Sequence, residues 1–203
     1  PKALNALNIE MAKKFSNKLQ EWDLNDNIKR VLLIGEGNHF CAGGDVKSLL
    51  LTKHQSKDLI YFVEDDYLHQ SDAIQEMIFA YERLSSQFNR ELFLCPADYP
   101  YLYTKAEPTN VFIGSNKHWR EINETLCTFL TSKVIIDKYW EKLISMCQFE
   151  HYPFEQPLHE IYKKEKCLSP IPSLAIHFTN INSVFGLSPN IDWKKIWEDN
   201  ENY

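Results

Sequence analysis

Four of the six glycines in the 203-residue chain, Gly35, Gly37, Gly43 and Gly44, fall within ten residues. They follow Val31-Leu32-Leu33-Ile34, a short apolar run bounded by polar turn residues, which suits a strand buried on both faces. The chain therefore concentrates its main-chain freedom at one strand end. Glycine there permits positive φ and lets a ligand approach the backbone closely. N–H groups released in such a turn bind an anion or a developing oxyanion. Two phosphate-binding loops are excluded: Phe40 stands where a dinucleotide fingerprint needs its third glycine, and no Gly-Lys-Ser/Thr follows for a Walker loop.

Composition narrows the classes further. Lys and Arg number 22 against 28 Asp and Glu, a formal charge of -6, and without a basic block the chain does not suit direct, sequence-specific nucleic-acid binding. A hydrophobic content of 44% supplies a packed core. No apolar run reaches the ~18 residues of a membrane span. Cys41, Cys95, Cys127, Cys147 and Cys167 are odd in number and widely spaced, so they read as thiols in a reducing compartment rather than a disulfide framework.

Periodicity predicts an α/β first half and a mostly helical second half. An amphipathic helix runs from an Asn8 cap through Met11, Phe15, Leu19 and Trp22. After the glycine turn, Leu59, Ile60, Val63 and Tyr67 predict a helix, and Ile74, Met77, Ile78, Tyr81, Leu84 and Phe88 another behind a Ser71 cap. Residues 89–118, with Pro96, Pro100 and Pro108 among three tyrosines, read as a loop or linker. Further helices are predicted over 119–130, 135–147 and 157–162, and over 174–185 with Gly186 as a stop. The domain reading is residues 1–95 as the α/β part and 110–203 as the helical part.

Pro1-Lys2-Ala3-Leu4-Asn5-Ala6-Leu7 before a helix, then a strand, then Phe40-Cys41-Ala42-Gly43-Gly44-Asp45-Val46, resembles the opening of the crotonase (enoyl-CoA hydratase/isomerase) superfamily. Within it, Cys-Ala-Gly-Gly-Asp followed by Tyr61-Phe62 and Asp65-Asp66-Tyr67 is most similar to 3-hydroxyisobutyryl-CoA hydrolases, over roughly residues 1–70. The resemblance implies an incomplete ClpP/crotonase-like N-terminal part and an acyl-CoA thioester as substrate, with no other cofactor. It implies that the Ala42 backbone N–H, with Gly43 beside it, is an oxyanion donor and that Asp66 contacts substrate. Lys2, Ala3, Ala6 and Asp45 would lie along CoA. No metal is implied.

The same family uses a second oxyanion donor in a glycine-rich turn at a helix start, and its hydrolases add a Glu after Pro and an Asp before Val-Gly. After Gly44 only Gly114 and Gly186 remain, and no Pro-Glu dipeptide exists. Losing one oxyanion donor costs ~10²–10³ in rate, and losing an acid/base group ~10²–10⁴. The expectation is a catalytically impaired pseudoenzyme kept as a structural subunit among protein partners, in a mitochondrial (matrix) assembly such as the ribosomal small subunit. The alternative is an active hydrolase of valine catabolism whose central segment lies outside this sequence.

Other residues read more plainly. Glu64, Asp65 and Asp66 suit a solvated helix face. His39 and Cys41, two apart in a turn, need not face each other. His118, His151, His159 and His177 lack metal-ligand spacing. Tyr99, Tyr101 and Tyr103 could anchor a partner, and Asn123-Glu124-Thr125 matches a glycosylation acceptor only by chance in a reducing compartment.

Overall fold

The computed structural model describes residues 58–201 apart from 65, 105–106, 147–154, 179–180 and 189–190, together with residues 10, 13, 14, 17, 18, 21, 24 and 25. The chain divides into two compact units, Pro1–Gln55 and Ser56–Tyr203.

In the first unit, Glu10, Lys13, Lys14, Asn17, Lys18 and Glu21 are helical and exposed. They are the polar positions of the predicted amphipathic helix. Glu10 pairs with Lys14 at 2.6 Å and Lys18 with Glu21 at 2.7 Å, the one-turn spacing that supports an exposed helix. The apolar stripe, the strand at 31–34 and the glycine cluster lie outside the described residues.

The second unit begins with β1 (Leu59–Phe62) and β2 (Tyr67–His69), then α1 (Ala73–Phe88) and β3 (Phe93–Leu94). A 3₁₀ turn (Pro100–Tyr103) leads to β4 (Val111–Ile113), β5 (His118–Ile122) and β6 (Phe129–Ser132). After these come α2 (Lys133–Ser145), α3 (Gln156–Tyr162), β7 (Cys167–Ile171), β8 (Ala175–His177) and α4 (Trp193–Glu201). Six strands form one sheet in the order β1-β6-β3-β7-β5-β4, and β2 pairs with β8 separately. Every neighbouring pair is antiparallel except β3 with β7.

Alternation along the strands builds a core on each face of the sheet. Ile60, Phe93, Phe129, Ile122 and Cys167 point to one side, where Ile135, Ile136 and Leu143 of α2 and Leu158 and Ile161 of α3 cover them. Leu94, Trp119, Leu130 and Leu168 point to the other and meet Met77, Ala80, Tyr81 and Leu84 of α1. The result is a three-layer α/β/α arrangement.

Several expectations are corrected here. The residues 59–67 form β1 and β2 rather than a helix, and 119–130 contribute β5 and β6. Residues 174–185 hold β8 and turns, so Gly186 ends no helix. The C-terminal part is therefore mixed, with five strands between residues 111 and 177. Cross-strand partners drew these segments out of helix, β6 for β1, β8 for β2, and β4 and β7 for β5, because strand preference is decided by cross-strand packing more than by spacing. The joint expected between residues 95 and 110 falls inside the second unit, since β1 and β3 are hydrogen-bonded to β6. The loop of 89–118 contains β3, the 3₁₀ turn and β4. Helices α1, α2 and α3 stand where the periodicity predicts them. The residue at the start of α1 is Asp72, with no side-chain cap bond, in place of the expected Ser71 cap. Ser132 does cap α2, accepting from Ile135 N.

Candidate functional site

Of the residues singled out in the sequence, Lys2, Ala3, Ala6, Ala42, Gly43 and Asp45 lie outside the described residues. Asp66 lies within them. It follows the end of β1, where the chain turns into β2, and its main-chain carbonyl accepts a hydrogen bond from Phe178 N at 2.6 Å. The β2–β8 ladder sets Tyr67 opposite His177. That register brings Asp66 Oδ2 within 2.9 Å of His177 Nε2. The remaining polar atoms of the pair, Asp66 Oδ1 and His177 Nδ1, are buried without a partner. A buried polar atom left without a partner costs about 1–3 kcal/mol, so this pair is an energetic liability that the surrounding fold sustains.

Glu64, at the end of β1, is the second carboxylate. Its N–H donates to Thr128 Oγ1 at 3.0 Å, and the same hydroxyl donates to Glu64 Oε2 at 3.2 Å. Burial, reinforced by the charge of Asp66 nearby, pushes the Glu64 carboxyl up to about 7. A carboxyl poised there exchanges its proton at neutral pH, which suits acid/base work. Glu64 and Asp66 are thus half-buried residues at a strand end, not the solvated helix face read from their sequence; Asp65 lies outside the described residues. His177 comes from more than a hundred residues away, and no local pattern could have joined it to them. Among the described residues no group of three or more His, Cys, Asp and Glu side chains is arranged to hold a metal ion.

A second polar cluster sits deeper. Arg120 Nη2 donates to Asp98 Oδ1, with Asp98 only 2% exposed. Tyr103 donates to Asp98 Oδ2 at 2.5 Å, and the Arg120 guanidinium rests 4.1 Å from the centroid of the Tyr103 ring. Tyr99 and Tyr101 are buried, with Tyr99 bonded to Tyr67 through their hydroxyls at 2.5 Å. Those two tyrosines build the core rather than anchor a partner.

The two glycines beyond the cluster are both committed to turns. At Gly114, between β4 and β5, a Cβ would come within 2.3 Å of Trp119 Nε1. The Gly114 carbonyl accepts from Arg83 at 2.9 Å and its N–H donates to Lys117 O at 2.9 Å. At Gly186 a Cβ would meet the Ile181 carbonyl at 2.1 Å, and the N–H donates to Ser183 O at 3.1 Å. Neither glycine opens a helix, and neither N–H is free for an oxyanion. No disulfide joins Cys95, Cys127 or Cys167, and burial pushes the Cys95 thiol up to about 12.

Comparison with known proteins bears on the N-terminal part. Residues 1–83 match the enoyl-CoA hydratase/isomerase family. A mitochondrial 3-hydroxyisobutyryl-CoA hydrolase-like protein 1 of Arabidopsis thaliana is 43% identical over 49 residues, 24% of this chain and 12% of that protein. The putative enoyl-CoA hydratase/isomerase YngF of Bacillus subtilis is 43% identical over 54 residues, 26% of this chain and 21% of its own. Mitochondrial 3-hydroxyisobutyryl-CoA hydrolase of Danio rerio is 40% identical over 50 residues, 24% of this chain and 13% of its own. The chain thus spans about an eighth to a fifth of the length of these relatives. No solved structure matches it significantly.

Proposed function

We propose, from an N-terminal segment that matches the enoyl-CoA hydratase/isomerase (crotonase) family over residues 1–83, a 3-hydroxyisobutyryl-CoA hydrolase-like protein that retains a CoA-thioester-binding segment and has lost efficient hydrolysis. The observation that carries this reading is the use of the last two glycines. Gly114 is locked under Trp119 and Gly186 against Ile181, so neither supplies the second oxyanion donor. Asp66, the residue carried over as a substrate contact, already spends one carboxylate oxygen on His177. One donor, the Ala42 N–H, polarises a thioester carbonyl weakly, and the missing partner corresponds to ~10²–10³ in rate.

A protein in this state is useful through what it binds. Its place is a mitochondrial assembly, by analogy with relatives whose names place them in mitochondria, and its partners there are proteins. Isothermal titration with CoA and a thiol-release assay with 3-hydroxyisobutyryl-CoA test this on the 203-residue protein. Expected are CoA binding that persists in Ala42→Pro, since that change deletes only the N–H assigned to the thioester carbonyl, which free CoA lacks, and no turnover above the uncatalysed rate. Thioester cleavage that disappears in Ala42→Pro would overturn the proposal in favour of an active hydrolase.

A further inference from the structure

Away from Glu64 and Asp66, the second unit holds a cavity of about 320 Å³ over β5, lined by Leu102, Glu107, Asn110, Arg120, Asn123 and Tyr162 among others. That volume lies at the lower end of the range of small-molecule sites, about 300–1,000 Å³. Arg120 is 6% exposed and its Nε is buried without a hydrogen-bond partner. That N–H is sealed within the protein, while other atoms of the same side chain line the cavity.

The charges around the cavity select what could fill it. The Arg120 charge is already compensated by Asp98. Glu121 is paired with Lys166 at 2.7 Å. Burial pushes the Glu121 carboxyl up, but the bonds from Lys166 and from Asn110 outweigh it and hold the group ionised, below its ordinary value. Glu107 adds a further carboxylate at the rim. A phosphate or carboxylate would face two glutamates, and a cation would find Glu121 already engaged by Lys166. Of the remaining polar groups, Thr109 Oγ1 donates to Glu121 O at 2.6 Å and Asn110 Nδ2 to Glu121 Oε2 at 3.2 Å, which leaves their oxygens to accept, while Asn123 can donate and accept. Leu102, Ile122 and Tyr162 supply an apolar wall.

We propose that this cavity binds a neutral, hydroxyl-rich small molecule of monosaccharide size, with a ligand oxygen accepting from Arg120. Hydroxyls suit the site because each can donate to a carboxylate or amide oxygen and accept from a guanidinium or amide N–H. The apolar wall then takes the C–H face of a ring.

Saturation-transfer NMR on the 203-residue protein tests it, with D-glucose, D-galactose, D-mannose and myo-inositol as probes, and inorganic phosphate and putrescine as charged competitors. At least one of the four neutral probes is expected to bind and neither competitor to displace it. Thr109→Val and Asn123→Ala, both at exposed positions, are each expected to weaken binding about five-fold or more, Asn123→Ala with an unchanged melting temperature and Thr109→Val with the added loss of its bond to Glu121 O. Arg120→Lys is expected to lose binding; because that change touches the buried pair with Asp98, the two surface variants carry the decision. Binding by none of the four probes, affinity unchanged in both surface variants, or displacement by phosphate overturns the proposal.

Discussion

At the scale of single residues, Glu64 makes the sharpest prediction. Its carboxyl is raised from an ordinary value near 4.5 to about 7 in the folded unit, first by burial and then by Asp66. The folded state therefore binds a proton that the unfolded chain releases. The stability this contributes is fully present below about pH 4.5 and is lost as pH rises through 7. Glu64→Gln removes the titration, so the mutant should gain on the parent protein by up to about 3 kcal/mol across that window. Thermal melts of both proteins at pH 4.5, 6 and 7.5 check this; parallel pH profiles would contradict it. Asp66 was marked in the sequence by resemblance alone, while the half-burial of Glu64 depends on Thr128 and the pairing of Asp66 depends on His177. Such long-range closure leaves no periodic trace, which is why Glu64 and Asp66 read as solvated charges.

At the scale of elements, α1 shows how a buried charge can fix a turn. Glu76 is 1% exposed and accepts from Ser115 N at 3.1 Å, Asn116 N at 2.8 Å and Trp119 Nε1 at 3.2 Å. One carboxylate thus ties the β4–β5 turn to the helix that covers it. Glu76→Ala should destabilise the protein by about 2–4 kcal/mol, because the buried Trp119 indole N–H and two part-buried backbone N–H groups lose their acceptor. Leu84→Ala, at 0% exposure on the same face, should cost about 2–5 kcal/mol through its cavity. Urea unfolding at constant m-value measures both, and an exposed change on the outer face such as Glu82→Ala serves as the reference. Helix α1 was legible because its apolar stripe repeats over 16 residues. The strands were not, and β5 shows why. Trp119 and Ile122 are three apart, a helical interval, but in a strand that interval sends them to opposite faces, where each feeds a different core. In β1, Leu59 and Tyr61 face one side while Ile60 and Phe62 face the other. With apolar residues on both faces, a strand loses the alternation that would announce it, whether it is central like β5 or at the sheet edge like β1.

At the scale of the whole molecule, the family match reaches residue 83, whereas the first compact unit ends at Gln55. Residues 59–62 and 67–69 find their strand partners at 129–132 and 175–177. The second unit therefore contains the partners of its own strands. Residues 56–203 expressed alone should melt cooperatively, with Glu76→Ala lowering that transition as it does in the 203-residue protein. A non-cooperative melt of the shorter chain would contradict this.

The strand order has a consequence for synthesis. β7, at Cys167–Ile171, is the seam between β1-β6-β3 on one side and β5-β4 on the other. It is also among the last strands to leave the ribosome. Until it arrives, β3 and β5 both present open edges, and pairing across such sequence distances is slow. Unpaired edges recruit other chains. A premature stop anywhere between residues 133 and 166 should therefore yield insoluble material rather than a smaller folded domain, and the nascent chain should depend on chaperones for longer than its length alone suggests.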